Sequence, residues 1–259
     1  ELTDNISGRV AVEQYRSDGA IKNTYLNRGD TQRKDELTLR GGLAWQGTNQ
    51  RVEANWHFFD VDNGYDAFSL DNTRQTLSDE PGRDTLRTHA GRLKWSSQGT
   101  VNLSAQLSVA DTDTEYAYDE DWAYVGIAPA LEYSSFDTYL RDRDMQSLEI
   151  RADSDYDSWR WTVGGYLKHE RETLTRQYTY LESDFNSALT VDTGAVFGQL
   201  DVNLTDTVTA FLGGRLEQRK ADYADSEKVN SDLTDNLWSG RLGIDWAPSP
   251  QQNFYLSIS

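Results

Sequence analysis

The 259-residue chain contains no cysteine. A disulfide framework and a thiolate metal site are therefore both excluded. It also lacks a long apolar run. The longest, WAYVGIAPAL from Trp122 to Leu131, falls far short of the roughly 18 to 20 residues that a membrane-spanning helix needs, so crossing a bilayer by helices is excluded. Hydrophobic residues make up only 37% of the chain and the mean hydropathy is -0.75, low values for a packed interior of this size. Basic residues are few: 25 Lys and Arg stand against 43 Asp and Glu, a formal charge of -18. With no clustered basic stripe to neutralise phosphates, no nucleic-acid partner is expected. The opening ELTDNISGRV has neither a basic n-region nor an apolar h-region, so no signal peptide is read there; the chain is expected to be cytoplasmic, mature or cut from something longer.

What the chain does have is alternation. In VNLSAQLSVA, Val101, Leu103, Ala105, Leu107 and Val109 fall on one side, and Asn102, Ser104, Gln106, Ser108 and Ala110 on the other. A strand turns successive side chains to opposite faces, which gives one apolar face and one mostly polar, uncharged face. About eleven such segments recur, from the first (Ile6, Val10, Val12) to the last (Phe254, Leu256, Ile258). No helical period competes over a comparable length. Average hydropathy misses such segments because only every second residue must be apolar.

The connections divide into two kinds. GTNQ, SSQG, DSDYDS, NLTD and PSPQQ are tight hairpin turns. Between them run long links: RSDGAIKNTYLNRGDTQRKD, then Asp60 to about Thr88, Asp111 to about Asp144, about Glu170 to Thr190, and about Arg219 to Asp235. Strict alternation of short and long puts all tight turns at one end and all long loops at the other. That is the pattern of a transmembrane barrel, with short periplasmic turns and long extracellular loops. Trp45, Trp56, Trp95, Trp159, Trp161 and Trp246 lie on apolar faces close to the short turns, as an interfacial girdle requires. The opposite faces carry charge deep in the strands, at Arg40, Glu53, Glu149, Arg151, Arg215, Glu217, Arg241 and Asp245, which a wet lumen tolerates and lipid does not. Ten residues rising roughly 3.3 Å each at about 45° of tilt span about 23 Å, the height of an outer-membrane apolar band. A soluble sandwich or propeller also alternates, but its long connections would not all fall at one end.

Three stretches resemble the barrel of TonB-dependent outer-membrane receptors: NGYDAFSLDNTRQTLSDEPGRDT (Asn63–Thr85), AVFGQLDVNLTDTVTAFLGGRLEQRKADY (Ala195–Tyr223) and DNLWSGRLGIDWAPSPQQNFYLSIS (Asp235–Ser259). The resemblance implies a 22-stranded barrel, plugged by an N-terminal domain, that imports a ligand with energy from TonB. Residues 1–259 are accordingly expected to form an all-β, antiparallel part of such a barrel, about eleven strands, with the plug domain, the TonB box and the C-terminal strands absent. The implied setting is the bacterial outer membrane, against lipid and lipopolysaccharide, with TonB engaged through the missing N-terminal region.

Catalytic signatures are absent. No GxSxG, Walker A or GxGxxG pattern occurs, His57, His89 and His169 are scattered, and HERE at His169, read as a strand end, lacks the second His of a zinc helix. No enzyme and no resident cofactor is expected. The acidic groups DVDNG, DTDTE and DSDYD, at Asp60, Asp111 and Asp153, fit no EF-hand loop; non-EF calcium or lipopolysaccharide-bridging cations at the outer loops stay open. The most informative link runs from Asp111 to Asp144. It gathers Tyr116, Tyr118, Trp122, Tyr124, Tyr133, Phe136 and Tyr139 with Arg141 and Arg143, a surface suited to a flat, partly anionic ligand such as an iron chelate, or else rings that pack the loop against its neighbours. The function read is uptake of a ferric siderophore; the alternatives are a cobalamin or glycan receptor of the same architecture, a passive porin, or a soluble β-sheet binding module.

Apolar faces with no protein core to cover them lead to a direct test. The expressed 259-residue chain should be insoluble in plain buffer and gain stable β-structure, followed by circular dichroism, only with detergent, lipid or the remaining strands. A cooperatively folding monomer in water would contradict the barrel.

Overall fold

All eleven alternating segments are strands of one antiparallel sheet. In chain order the strands are β1 (Ile6–Ser17), β2 (Lys22–Asn23), β3 (Lys34–Gln46), β4 (Gln50–Tyr65), β5 (Gln75–Thr76), β6 (Gly82–Ser97) and β7 (Asn102–Asp119). They continue with β8 (Phe136–Asp155), β9 (Trp159–Tyr178), β10 (Phe185–Thr205), β11 (Val208–Asp225), β12 (Asn230–Ser249) and β13 (Gln252–Ile258). Sheet order follows chain order from β1 to β13, with β2 and β5 set aside as a two-stranded parallel pair inside the first two long connections. The computed structural model describes residues 3–129 and 132–259, so Leu131, which closes the longest apolar run, lies outside the described residues. No described helix is long and apolar enough to cross a membrane, a fact that leaves barrels untouched.

The tight turns and the first long link, between β1 and β3, fall where their composition predicts, and the later long links are shorter than expected. β8 starts at Phe136, β9 runs to Tyr178 and β10 starts at Phe185, while β11 and β12 approach to Asp225 and Asn230. Most of the expected loops after Glu170 and Arg219 are therefore ladder, and His169 lies inside β9 rather than at its end, bonded to Asp192 at 2.7 Å. Above the apolar band both faces of a strand meet water, so the alternation vanishes from the sequence although the backbone pairing continues. Cross-strand charge takes over as the side-chain partner, as in Arg87–Asp60 at 3.2 Å and Arg143–Glu170 at 2.8 Å.

The described residues form no extended hydrophobic core. Among the described residues the buried apolar side chains are Ala117, Ala123, Val191 and Ala195, and the largest fully buried ones are Asn23, Thr76, Asp137 and Ser154, all polar. Along β7, Leu103, Leu107 and Val109 are exposed while Ser104, Gln106 and Ser108 are half-buried. This inversion of the soluble pattern arises when a sheet curls with its apolar side convex: the convex face spreads its side chains and the concave face crowds them. Register carries both faces from strand to strand. Leu107 sits opposite Leu93 and Leu148, and Gln106 opposite Lys94 and Glu149.

The tryptophans follow the apolar face. Trp45 and Trp95 both pair with Val52, Trp246 pairs with Phe254, and Trp159 opens β9, all at the level of the short turns; Trp56 lies higher, opposite Gly41 and Gly91. On the concave face, phenylalanines lie over glycines of the neighbouring strand. A Cβ at Gly164 would fall within the Phe197 ring, and one at Gly243 within the Phe211 ring, so both positions need the bare backbone. The rings in turn carry guanidiniums: Arg151 stands 5.5 Å from the Phe197 centroid and Arg241 5.5 Å from that of Phe211.

Adjacent residues on opposite walls should respond differently to the same charge. In the membrane-inserted barrel, Leu107→Arg should cost about 2 to 4 kcal/mol of folding stability, as arginine does near a lipid midplane, and Gln106→Arg much less. Urea or guanidinium titration in lipid vesicles measures both. Equal costs, or the reverse order, would mean that the faces are exchanged.

Candidate functional site

Counting by twos from Gln106 along β7 leads to Thr112, Thr114, Tyr116 and Tyr118, so the two tyrosines share the concave face at the end far from the tight turns. Register then assembles their neighbours. Tyr116 faces Tyr139 on β8 and Asp84 on β6, Tyr118 faces Asp137, and β9 sets Arg176 opposite Tyr139 and Tyr178 opposite Asp137. Tyr116 lies 5.0 Å from Tyr65, 5.6 Å from Tyr118 and 6.3 Å from Tyr139 between ring centroids. Phe68 meets Tyr65 edge-on at 5.8 Å and stacks on Trp122 at 4.9 Å with 10° between planes. The result is a continuous arc of rings on the inward wall above the apolar band.

Of the residues singled out from sequence, Tyr116, Tyr118, Trp122 and Tyr139 join this arc. Tyr116, Tyr118, Tyr139, Arg141 and Arg143 sit on strands, not on a loop as expected. Arg141 lies 5.5 Å from the Tyr139 ring with Glu172 at 3.8 Å, and Arg143 is held by Glu170. Tyr124 lies apart, stacked on Tyr25 at 4.4 Å, Tyr133 is exposed, and Phe136 takes the opposite, outward parity. Sequence reasoning missed Tyr65, Phe68, Asp137, Arg176 and Tyr178. Parity was the available signal: Arg176 and Tyr178 follow Leu174 at every second residue of β9, on the same side as Tyr166.

Asp137 anchors the arc. It is 1% exposed and accepts both Arg176 Nε–H, at 2.9 Å, and Arg176 Nη2–H, at 2.6 Å, together with the Tyr139 hydroxyl at 3.0 Å. The bidentate bond to Asp137 holds the Arg176 guanidinium still more firmly charged than usual. Arg176 also stacks over Tyr139 and Tyr178, 5.3 and 5.0 Å from their centroids. Glu120 receives the Tyr178 hydroxyl at 2.7 Å and the Ser135 hydroxyl, and these bonds lower its pKa. Burial, with Tyr65 beside it, pushes the Tyr116 phenol well above its ordinary value, so it stays a neutral donor.

The connections above the arc are tied into one cap. Asn23, wholly buried in the first, donates to Asp66 Oδ2 at 2.9 Å and to the Ser78 carbonyl at 2.8 Å in the second, and Thr76 adds a bond to Asp66 at 2.7 Å. The Tyr25–Tyr124 and Phe68–Trp122 stacks bind both to the third, between β7 and β8. Trp122 has φ +59°, uncommon for a bulky residue, and is held there by Asp119, whose Oδ1 accepts the Asp121 and Trp122 N–H groups at 3.1 and 3.2 Å.

No group of three or more His, Asp or Glu side chains able to hold a metal ion occurs among the described residues. In the acidic groups seen in sequence, Asp60 is taken by Arg87, Asp62 by Arg33, and Asp153 by Asn102.

The sequence model of the TonB dependent receptor-like β-barrel matches residues 14–259. The chain belongs to this family. TonB-dependent barrels are bacterial outer-membrane proteins, and the family and its solved neighbours are transport receptors, not enzymes. The ferric yersiniabactin uptake receptor FyuA from Yersinia pestis is similar at 16% identity with a TM-score of 0.77 over 99% of this chain and 42% of its own. The siderophore receptor PiuA from Acinetobacter baumannii shares 11% identity at a TM-score of 0.72, over 99% of this chain and 45% of its own. The copper transporter OprC matches at 12% and 0.70, over 98% and 40%. The chain thus spans less than half the length of these proteins, and at such identities the likeness is one of fold.

The Trp122 turn should be sensitive to pH. Burial, reinforced by the neighbouring Asp121 carboxylate, pushes Asp119 up to about 7, and its Oδ2 has no hydrogen-bond partner. A carboxyl raised in the folded state stabilises it fully below the unfolded pKa of about 4 and loses that contribution as pH rises through about 7. Amide exchange of Asp121 and Trp122, corrected for intrinsic rate, should therefore lose protection between about pH 4 and pH 8, and Asp119→Asn should flatten the dependence. Constant protection in the unsubstituted protein would contradict the raised Asp119 carboxyl.

Proposed function

We propose that this barrel wall belongs to a receptor that takes up a ferric siderophore across the outer membrane with energy supplied through TonB, and that the ring arc is where the ligand first docks. The observation that carries the reading is the arc itself: Tyr65, Tyr116, Tyr118 and Tyr139 on the inward wall, above the apolar band, with Phe68 and Trp122 lowered onto them from the cap. Partly exposed rings fixed by their own packing present area to a ligand at little entropic cost. The names of FyuA and PiuA support iron-complex uptake, and that of OprC shows that the fold alone does not select the metal. Energy coupling requires the plug and TonB box of a complete receptor, so the proposal concerns a receptor that carries this barrel wall.

The test uses the intact receptor carrying this barrel sequence, expressed in a strain dependent on it for iron. Tyr116→Ala with Tyr139→Ala should abolish growth on at least one ferric siderophore of a panel at limiting concentration, while surface labelling shows the barrel assembled. Unchanged growth on every member of the panel would move the docking site elsewhere.

A further inference from the structure

The guanidiniums around the arc already face carboxylates. Arg176 is bidentate on buried Asp137, Arg143 is on Glu170, and Arg141 is shared between Glu172 and the face of Tyr139. Carboxylates continue around the rings without matching cations: Asp84 lies across from Tyr116, and Glu120 is held by hydroxyls alone. Among the described residues a polyanionic chelate would find no arginine at the arc without a facing carboxylate and would meet like charge, on a chain whose formal charge is -18. Ring faces, by contrast, are plentiful and partly exposed, with Trp122 38% exposed at the edge of the arc. Ring faces carry a negative quadrupole that stacks on neutral rings and offers no attraction to anions, so rings and carboxylates discriminate in the same direction.

We infer, resting on the uptake function proposed above, that the arc selects a metal chelate built on aryl rings and carrying little or no negative charge, in preference to polyanionic chelates of the same metal. The sequence alone suggested a partly anionic ligand because it shows arginines without their partners.

Four ferric probes separate ring from charge in titrations of the intact, detergent-solubilised receptor: the neutral tris(8-hydroxyquinolinate), the trianionic tris(catecholate), a ring-free and weakly charged trihydroxamate, and the polyanionic dicitrate. The neutral aryl complex should bind tightest, at least about tenfold above dicitrate, with the catecholate and the hydroxamate between them. Trp122→Ala should weaken the aryl complex about fivefold and leave dicitrate unchanged, the loss expected of one stacked ring. Glu172→Gln, which unpairs the exposed Arg141 without touching buried Asp137, should strengthen dicitrate several-fold. Dicitrate binding as tightly as the neutral aryl complex, or unaffected by Glu172→Gln, would overturn the selectivity while leaving iron uptake standing. Failure of all four to bind, with binding of cobalamin or an oligosaccharide instead, would overturn the uptake reading itself.

Discussion

The backbone ladder is the constraint from which the rest of this structure follows. In hydrocarbon every N–H and C=O must find a partner, and a sheet meets that demand only by keeping neighbouring strands in unbroken register. Along β7 the pairing with β6 and β8 runs from the tight turns to the cap without a bulge. Parity is therefore conserved over the whole strand, and the count that turns Leu107 to lipid also turns Tyr116 and Tyr118 inward. In the proposed receptor, membrane insertion and ligand presentation are two readings of one register. A slip of one residue would exchange both at once.

The sequence revealed the structure where one physical contrast, lipid against water, acts on alternate side chains. That is why the eleven strands, the five tight turns and the apolar faces were legible. Above the apolar band the contrast disappears, and there the reading erred: Tyr139 and Arg141 appeared to be loop residues, and His169 a strand end. The arc was half legible for the same reason. Aromatics clustered in sequence were noticed, whereas Tyr65, Phe68 and Arg176 come from other connections and strands and meet the cluster only through register. Charge pairing was not legible at all, because Asp137 and Glu172 acquire their partners from β9 and β8 respectively.

Polar groups hold this protein together to an unusual degree. With apolar side chains turned outward, the largest fully buried side chains among the described residues are Asn23, Thr76, Asp137 and Ser154, each hydrogen-bonded, Ser154 to the Thr100 carbonyl. Such networks are directional in a way that apolar packing is not, and removing one member strands the others without water to replace it. The glycines under Phe197 and Phe211 have a related role on the lumen wall. They let an aromatic ring lie flat against the sheet and give Arg151 and Arg241 a surface to rest on, so charge is kept at the wall rather than across the channel.

In the proposed receptor, the cap tied together through Asn23 also bears on how quickly a ligand is caught and released. Long connections that float independently must each lose conformational freedom when they close on a guest, and that ordering weakens the complex. Here the first two connections are already hydrogen-bonded around one side chain, and the third is stacked on both. The ordering belongs to folding rather than to capture. A rigid vestibule of this kind favours a guest that already has the right shape, and it leaves release to depend on a concerted motion of the whole cap rather than on the fraying of one loop.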